Sequence, residues 1–119
     1  MDYDLIIIGG GSAGLTAAAG AKALGAKVAI IEKAKMGGDC LNYGCVPSKT
    51  LIKSSKVANY IKHADKYGLG PVRSSFKFSK VTARVQKVIS SIAKHESPDY
   101  LRKQGIDVLL GSAKFINNH

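Results

Sequence analysis

The stretch Tyr3-Asp4-Leu5-Ile6-Ile7-Ile8-Gly9-Gly10-Gly11-Ser12-Ala13-Gly14 decides the fold of this 119-residue chain. Residues 3–8 form a short apolar run rich in β-branched side chains, which is typical of a strand buried on both faces of a parallel sheet. The glycines that follow fit the pattern G-x-G-x-x-G, and an alanine-rich helix is predicted from Ser12 to Leu24. A second buried strand over 27–32 ends at an acid, Glu32. The order strand, helix, strand predicts a βαβ unit.

Each glycine of the pattern has a physical role in such a unit. Gly9 lets the chain turn sharply out of the strand, Gly11 lets the backbone approach a pyrophosphate, and Gly14 lets helix and strand pack closely. Ser12 adds a hydroxyl donor at the helix N-terminus, where the partial positive charge favours a diphosphate. Glu32 is placed to accept a hydrogen bond from a ribose hydroxyl. Because strand, helix and terminal acid agree with the glycines, we predict dinucleotide binding rather than a merely glycine-rich turn.

Both cysteines of the chain lie in the next stretch, residues 37–49, with four residues between them. Two cysteines five positions apart in one regular helix could not bridge, so we predict Cys40 in a loop and Cys45 in the first turn of a helix. Pro47 fits that first turn because its missing N–H costs nothing there. The helix N-terminus would favour a thiolate at Cys45. The pattern therefore predicts a redox-active pair.

The remainder of the chain predicts two long helices and a short pair of strands. The first helix runs from about Pro47 to Lys66, with Leu51, Ile52, Val57, Ala58, Ile61 and Ala64 on its apolar side. After an irregular segment over 72–79, Ser79 is a candidate N-cap for the second. Ser97-Pro98 indicates a kink or a new short helix. Residues 106–110 and 113–116 are predicted as a third and a fourth strand. We therefore predict an α/β fold with a Rossmann-like parallel sheet.

Composition narrows the class of protein. Eighteen Lys and Arg against eight Asp and Glu give a net charge of +10, which favours negatively charged partners such as nucleotide phosphates, nucleic acid or an acidic surface. The lysines are spread along the chain without a dense block, so we prefer solvated helix faces as their explanation. The acidic start and short first apolar run predict a cytoplasmic protein with no membrane partner. Scattered histidines, His63, His95 and His119, make a poor zinc set, so no metal site is predicted.

Taken together, Gly9-x-Gly11-x-x-Gly14, Glu32 and the segment Gly37-Gly38-x-Cys40-x-x-x-Gly44-Cys45-x-Pro47-Ser48-Lys49 resemble the class I pyridine nucleotide-disulphide oxidoreductases, over the whole chain. The family includes dihydrolipoamide dehydrogenase, glutathione reductase and mercuric reductase. By resemblance the dinucleotide is FAD, held by Gly9, Gly11, Ser12, Gly14, Glu32, Gly38 and Lys49. NAD(P)H is implied as co-substrate and a disulphide as substrate. The fold implied is the N-terminal portion, residues 1–119, of an FAD-binding domain.

The resemblance also implies catalytic roles for Cys40, Cys45 and Lys49. Cys45 would be the flavin-side sulfur, Cys40 the interchange sulfur that attacks the substrate, and Lys49 a cation that stabilises negative charge near the flavin. Electrons would pass from NAD(P)H through FAD and the Cys40–Cys45 disulphide to the substrate. Asp39 and Tyr43 depart from the small residues common at their positions, which bears on substrate choice rather than on the disulphide.

Family members are several times longer and form homodimers, and their NAD(P) and dimerisation domains are not in this sequence. We therefore expect a fragment of an FAD domain, inactive alone, that leaves a sheet edge bare and self-associates through it. The alternative is a small self-contained FAD- or ADP-binding module without turnover. A nucleic-acid binder is the least favoured alternative, because no recognition motif is present and Tyr60, Tyr67, Phe76 and Phe78 are expected in the core.

Overall fold

A computed structural model describes residues 2–117 of the chain. Its elements in chain order are β1 (Leu5–Ile8), α1 (Ser12–Ala23), β2 (Val28–Glu32), α2 (Gly38–Asn42), α3 (Cys45–Lys62), a 3₁₀ turn (Ala64–Tyr67), α4 (Phe78–Ala93), α5 (Pro98–Lys103) and β3 (Ile106–Leu110). The predicted βαβ unit and third strand are confirmed. The fold is α/β, as expected for an incomplete Rossmann-like FAD domain.

The three strands form one parallel sheet in the order β1-β2-β3. Ile7 pairs with Ile30 and Ile30 with Val108, so every other residue of each strand points to the same face. On that face α1 and α5 pack over the sheet, and Ala18 and Leu101 join the strand residues in the buried core. A glycine follows the C-cap of each helix on that face, with a positive φ of 89° at Gly25 after α1 and 78° at Gly105 after α5.

The prediction that the first strand is buried on both faces was wrong. Ile6 and Ile8 are 54% and 58% exposed, and Leu109 on β3 is 50% exposed on the same side of the sheet. Among the described residues, helices cover the sheet on the Ile7 and Ile30 side only, and β1 pairs with β2 alone. The sequence correctly predicted an apolar strand, but it did not predict which faces of that strand other elements cover. Bare edges, of the kind that we expected, are present at both β1 and β3, since each pairs with β2 alone in the described sheet.

Helices α3 and α4 form a hairpin that packs mainly on itself and on α2. Arg84 on α4 donates to the Thr50 carbonyl of α3 at 3.0 Å, which ties the two helices together at mid-length. Glu96, just after α4, reaches Gly37, just before α2, so α4 returns toward the start of α3. The two helices therefore run antiparallel, and residues 63–77 form the far end. The chain is elongated, 68 × 27 × 25 Å.

Two predictions about burial in the hairpin were wrong, one for the apolar face of α3 and one for the aromatic residues. Of the side chains expected on the apolar face of α3, Leu51, Ile52 and Val57 are between 40% and 56% exposed, and Ala64 is buried. The four aromatics expected in the core are also exposed: Tyr60, Tyr67, Phe76 and Phe78. On α4 the apolar residues at helical spacing are better covered, because Val85 is buried and Val81, Val88, Ile89 and Ile92 are half-buried. The hairpin therefore buries one side of α4 and leaves much of α3 uncovered.

Element boundaries differ from the sequence prediction at four places. The short helix α2, not a loop, holds Cys40. Helix α3 ends at Lys62 rather than Lys66, where a 3₁₀ turn takes over. Helix α4 begins at Phe78 with Lys77 as N-cap, so Ser79 is not the cap. Residues 113–116 form no strand, so the predicted C-terminal strand pair is wrong.

The irregular segment that was predicted over 72–79 is present up to residue 77. The predicted start of a short helix at Ser97-Pro98 is confirmed, because Ser97 caps α5 by accepting a hydrogen bond from the Tyr100 backbone N–H. Within residues 2–117 no helix is both long and apolar enough to cross a membrane.

Candidate active site

The glycine turn, residues 9–14, and the cysteine pair, Cys40 and Cys45, line a single cavity of about 790 Å³. It opens at the carboxyl end of β1, where Ile7 and Ile8 lead into the turn, and extends along the first turns of α1. Cys40 and Cys45 also line it. The carboxyl ends of parallel strands are where α/β folds bind their ligands. The structure thus brings together two motifs that are separate in sequence.

Backbone contacts between glycines hold the two motifs against each other. The Gly37 amide donates to the Gly10 carbonyl at 2.8 Å. A Cβ placed on Gly38, whose φ is +55°, would lie 2.9 Å from the Gly11 Cα. No side chain fits at that contact. Gly38, which was predicted to bind the cofactor, therefore lies directly against the glycine turn. Its lack of a side chain lets the cysteine segment, residues 37–49, approach that turn.

The N-terminus of α1 faces the cavity without a capping side chain. Gly11 is the N-cap residue, and no side-chain hydrogen bond closes the first turn. Ser12 and Ala13 line the cavity at this point. A Cβ on Gly14 would collide with the Gly9 carbonyl oxygen, so helix and strand can meet only at glycine. Free amides at the end of a 12-residue helix suit an anionic group.

Glu32 lies in a second cavity of about 380 Å³, which shares Ile8 and Gly9 with the first. The side chain is 9% exposed, and its two oxygens accept hydrogen bonds of 2.7 Å from the amides of Gly10 and Ala34. These bonds, that from Gly10 foremost, hold the pKa of the carboxyl below its usual value. Glu32 is therefore a carboxylate that fixes the glycine turn. Each of its oxygens retains a lone pair for a further donor.

The two cysteines are free thiols, with Cys40 half-buried and Cys45 exposed. Gly37, with a φ of 86°, is the N-cap of α2. The side-chain amide of Asn42, at the end of this five-residue helix, donates to the carbonyls of Met36 and Gly38 and so ties the two ends of the helix together. The hydrogen bond to the Cys45 sulfur raises the pKa of the Cys40 thiol, and partial burial acts in the same direction. The backbone N–H of Cys45 and the charge of Lys49 oppose that rise. Cys40 and Cys45 thus lie near enough for one thiol to affect the other, and both line the cavity.

Lys49 lies in α3 and is exposed, near Cys40 but outside the residues that line the cavity. The structure adds Asp39 to the first cavity and Lys33, Ser112 and Ala113 to the second. Ser112 and Ala113 follow β3 after the single residue Gly111. The carboxyl ends of parallel strands lie on the same side of a sheet. Had β3 been predicted to lie next to β2, this rule would have placed Ser112 and Ala113 close to Glu32.

Glu96 is a further residue that sequence reasoning missed. One of its carboxyl oxygens, Oε2, is buried without a hydrogen-bond partner among the described residues, and it lies against Gly37. Burial raises the pKa of this carboxyl. A Cβ on Gly37 would come within 2.5 Å of that oxygen. The packing of the cysteine segment therefore depends on a side chain 59 positions later in the chain.

The histidines show contacts of an ordinary kind. His63 Nδ1 lies 3.0 Å from the Asn59 carbonyl, and the ring of exposed His95 meets Tyr100 edge-on at 5.4 Å. His119 lies outside the described residues. In the described part of the chain, no group of three His, Cys, Asp or Glu side chains is arranged to hold a metal ion.

Comparison with known proteins assigns the family. The model of the family "Pyridine nucleotide-disulphide oxidoreductase" matches residues 3–119. The chain belongs to this family. It is 40% identical over 116 residues to a dihydrolipoyl dehydrogenase of Bacillus subtilis, covering 97% of the chain and 24% of the relative. It is 34% identical over 117 residues to a mercuric reductase of Staphylococcus aureus, covering 98% of the chain and 21% of the relative. The chain thus spans about a quarter of the length of such relatives.

Proposed function

We propose that this chain is the FAD-binding, dithiol-bearing part of an NAD(P)H-dependent disulphide oxidoreductase. The observation that carries the proposal is the shared cavity, which the glycine turn and both cysteines line. The names of the relatives, dihydrolipoyl dehydrogenase and mercuric reductase, support redox chemistry on sulfur or a thiol-reactive substrate. The nicotinamide site and a homodimer interface would belong to other parts of a longer protein.

The residues around the two adjoining cavities fit an extended dinucleotide. Gly9, Gly11, Ser12 and Gly14 would hold the diphosphate at the uncapped end of α1, and a free lone pair of Glu32 would accept a ribose hydroxyl. Gly38 keeps that approach free of side chains, and Lys49 supplies positive charge near the sulfurs. When bound, FAD supplies a two-electron carrier between a nicotinamide and the cysteine pair.

The cysteine pair itself can reduce a disulphide in two exchange steps. Cys40, after losing its proton, attacks one sulfur of the substrate disulphide, forming a mixed disulphide and releasing the first thiolate. Cys45 then attacks the Cys40 sulfur, releasing the second thiolate and closing the Cys40–Cys45 bond. The pair loses two electrons and two protons, and the substrate gains both as two thiols. Lys49 favours the Cys40 thiolate, since its charge opposes the rise in that pKa.

Reaction of the reduced chain with the disulphide 5,5′-dithiobis(2-nitrobenzoic acid) tests this assignment. We expect two equivalents of nitrothiobenzoate per chain and an unadducted protein that contains a Cys40–Cys45 disulphide, seen by mass spectrometry. Cys40→Ser and Cys45→Ser should each release one equivalent and retain one adduct. A wild-type chain that ended with an adduct on each cysteine would contradict a cooperating pair.

The self-contained module remains the second candidate, favoured by one observation: the glycine turn, Glu32 and both cysteines are all assembled within these residues. A measurement of flavin binding distinguishes the self-contained module from a part of a larger enzyme. Part of a larger enzyme should purify colourless, whereas one tightly bound FAD per chain would favour the module. If FAD binds, Gly14→Ala should weaken it about tenfold or more because its Cβ meets Gly9. Gly20→Ala, on the same helix with open space around it, is the matched control.

A further inference from the structure

Glu96, three residues after the end of α4, holds one of its carboxyl oxygens in a buried position. Among the described residues, this oxygen, Oε2, has no hydrogen-bond partner. Burial raises the pKa of the carboxyl, as expected where no donor stabilises the ionised form. Buried polar atoms without a partner are few in native proteins, and those that occur mark strain, a bound water, or a redox or catalytic role. The position of Glu96 beside the cysteine segment points to a redox role.

The polar neighbours of Glu96 on the side of α1 and α5 do not supply a donor for Oε2. There Glu96 lines a cavity of about 440 Å³ together with Lys22, His95 and Tyr100. The Lys22 ammonium lies beside Gly105, where a Cβ would come 3.0 Å from Nζ, and the His95 ring meets Tyr100 edge-on. Within the described residues Glu96 forms no salt bridge. A donor for Oε2 therefore has to come from the other side of the carboxyl, which faces the cysteine segment.

The first turn of α2 lies on that side. Gly37, the N-cap of α2, is buried, and a Cβ on it would meet both the Leu41 side chain and Glu96 Oε2. The backbone hydrogen bond that opens α2 runs from the Leu41 N–H to the Gly37 carbonyl at 3.3 Å. The N–H groups of Asp39 and Cys40 come before it, and the first N–H groups of a helix have no acceptor within that helix. Donors without a helical acceptor and an oxygen without a donor thus lie at the same end of α2.

Helix α2 also sets where Cys40 lies relative to Cys45. Cys40 is the third residue of α2, and the Asp39 carbonyl beside it accepts hydrogen bonds from the N–H groups of Tyr43 at 2.9 Å and Gly44 at 2.6 Å. Gly44 is the N-cap of α3 and directly precedes Cys45. A shift of α2 therefore changes the position of Cys40 relative to Cys45. The cysteines of the structure are free thiols, so closing a disulphide moves Cys40 and, with it, the first turn of α2.

We propose that Glu96 is a positioning residue for the redox pair, because its buried oxygen accepts a hydrogen bond from the first N–H groups of α2 as Cys40 closes onto Cys45. This proposal rests on the function proposed above for the pair. In the dithiol the oxygen is unpaired, and in the disulphide it gains its donor. A hydrogen bond to a charged group that forms only on closure favours the closed form. Glu96 thus shifts the dithiol–disulphide equilibrium toward the disulphide.

The effect of Glu96 belongs to one of the two exchange steps. In the second step the Cys45 thiolate attacks the Cys40 sulfur of the mixed disulphide, the Cys40–Cys45 bond forms, and the outer thiolate leaves. That step closes a ring, so its rate depends on how well the two sulfurs are held for reaction. The first step, attack of Cys40 on an external disulphide, needs no such approach. Glu96 should therefore act on the second step alone.

Equilibration of the 119-residue chain with reduced and oxidised glutathione tests the proposal. Mass spectrometry after alkylation gives the fraction of chains with a Cys40–Cys45 disulphide. Glu96→Met keeps the length of the side chain without its oxygens and should lower the equilibrium constant for disulphide formation about tenfold or more. Glu96→Gln loses the same charge but keeps one carbonyl oxygen, so it should stay within about threefold of the wild type. Asp99→Leu removes an acid that is 88% exposed and should change nothing.

The reaction with 5,5′-dithiobis(2-nitrobenzoic acid) locates the effect in the closing step. Glu96→Met should slow the second release of nitrothiobenzoate, and in a Cys45→Ser chain it should leave the reaction rate of Cys40 unchanged. A general loss of structure would alter both rates. Slower reaction of Cys40 in the Cys45→Ser chain would therefore overturn the positioning role.

The glutathione experiment also separates this proposal from the function on which it rests. If the wild-type pair closes and Glu96→Met closes with the same equilibrium constant, the role of Glu96 is overturned and the proposed function stands. Equal losses in Glu96→Met and Glu96→Gln would overturn the acceptor role, because the retained oxygen would then have no effect. A wild-type chain that forms no Cys40–Cys45 disulphide would contradict the proposed function itself, and the role of Glu96 with it.

Discussion

Glu32 combines two roles at the residue scale. As an acid at the end of β2 it was predicted to face a ribose, and in the structure it also receives the amides of Gly10 and Ala34. A carboxylate can serve both because it accepts at four lone-pair positions. The glycine turn therefore depends on a charged group 22 residues away in sequence. Loss of the Glu32 charge should therefore lower the free energy of unfolding.

We expect Glu32→Gln to lower the free energy of unfolding by about 1–3 kcal/mol at neutral pH, because the amide replaces one acceptor with a donor facing a backbone N–H. The folded pKa of Glu32 is depressed, so its contribution is fully present above the unfolded pKa and is lost as the pH falls through the folded value. Urea unfolding over a pH series measures this. The wild-type and variant curves should converge in acid, and a constant gap at all pH values would contradict it.

The α3–α4 hairpin is the clearest case at the element scale. The 3.6-residue pattern correctly predicts that both segments are helical, but it cannot say which helix face meets a partner. The apolar side of α3 stays largely exposed, and the two helices are joined by the Arg84 contact to the Thr50 carbonyl and, at 3.5 Å, the Ser54 hydroxyl. A charged donor to a helix carbonyl is a long-range contact, 34 residues apart, that no periodicity reports.

Arg84→Met should lower the free energy of unfolding by about 1.5–3 kcal/mol, because the hydrogen bond of a charged group to α3 is lost. Lys87→Met, which removes the same charge from an exposed position on α4, is the matched control and should change stability by less than about 0.5 kcal/mol. Denaturant midpoints give the comparison, and hydrogen exchange should speed up in α3 for the first variant alone. Equal effects of the two substitutions would make charge, not the contact, responsible.

At the scale of the whole molecule, the sheet of the described residues has an uncovered side and two open edges. Ile6 and Leu109 are exposed on the face opposite α1, and β1 and β3 each pair with β2 alone, which leaves their outer backbone groups free for another strand. Such an edge pairs readily with another chain. The surrounding residues, 2–44 and 95–117, hold balanced charge, unlike the hairpin. Self-association should therefore use the sheet and not the hairpin.

Sedimentation velocity should show concentration-dependent dimers or larger species for the 119-residue chain. Added salt should increase them, because it screens the repulsion between the basic hairpins. Ile6→Lys should shift the chain toward monomer, since a charge on an edge strand blocks pairing. Leu24→Lys places the same charge at a position 89% exposed but away from the edge and should leave the distribution unchanged. A wild-type chain that stays monomeric over the whole concentration range would contradict this use of the edge.

The sequence by itself determined the elements and the two motifs, because helix periodicity, glycine turns and caps such as Ser97 depend on residues a few positions apart. It also placed Cys45 in the first turn of a helix and Glu32 at the end of a strand. Only the tertiary structure decided what covers each element: α3 and β1 have apolar faces that the sequence predicts to be buried and that remain exposed. It alone decided that Gly38 meets Gly11 and that Glu96 reaches Gly37. Burial and contact depend on residues distant in the chain, and no local pattern encodes those.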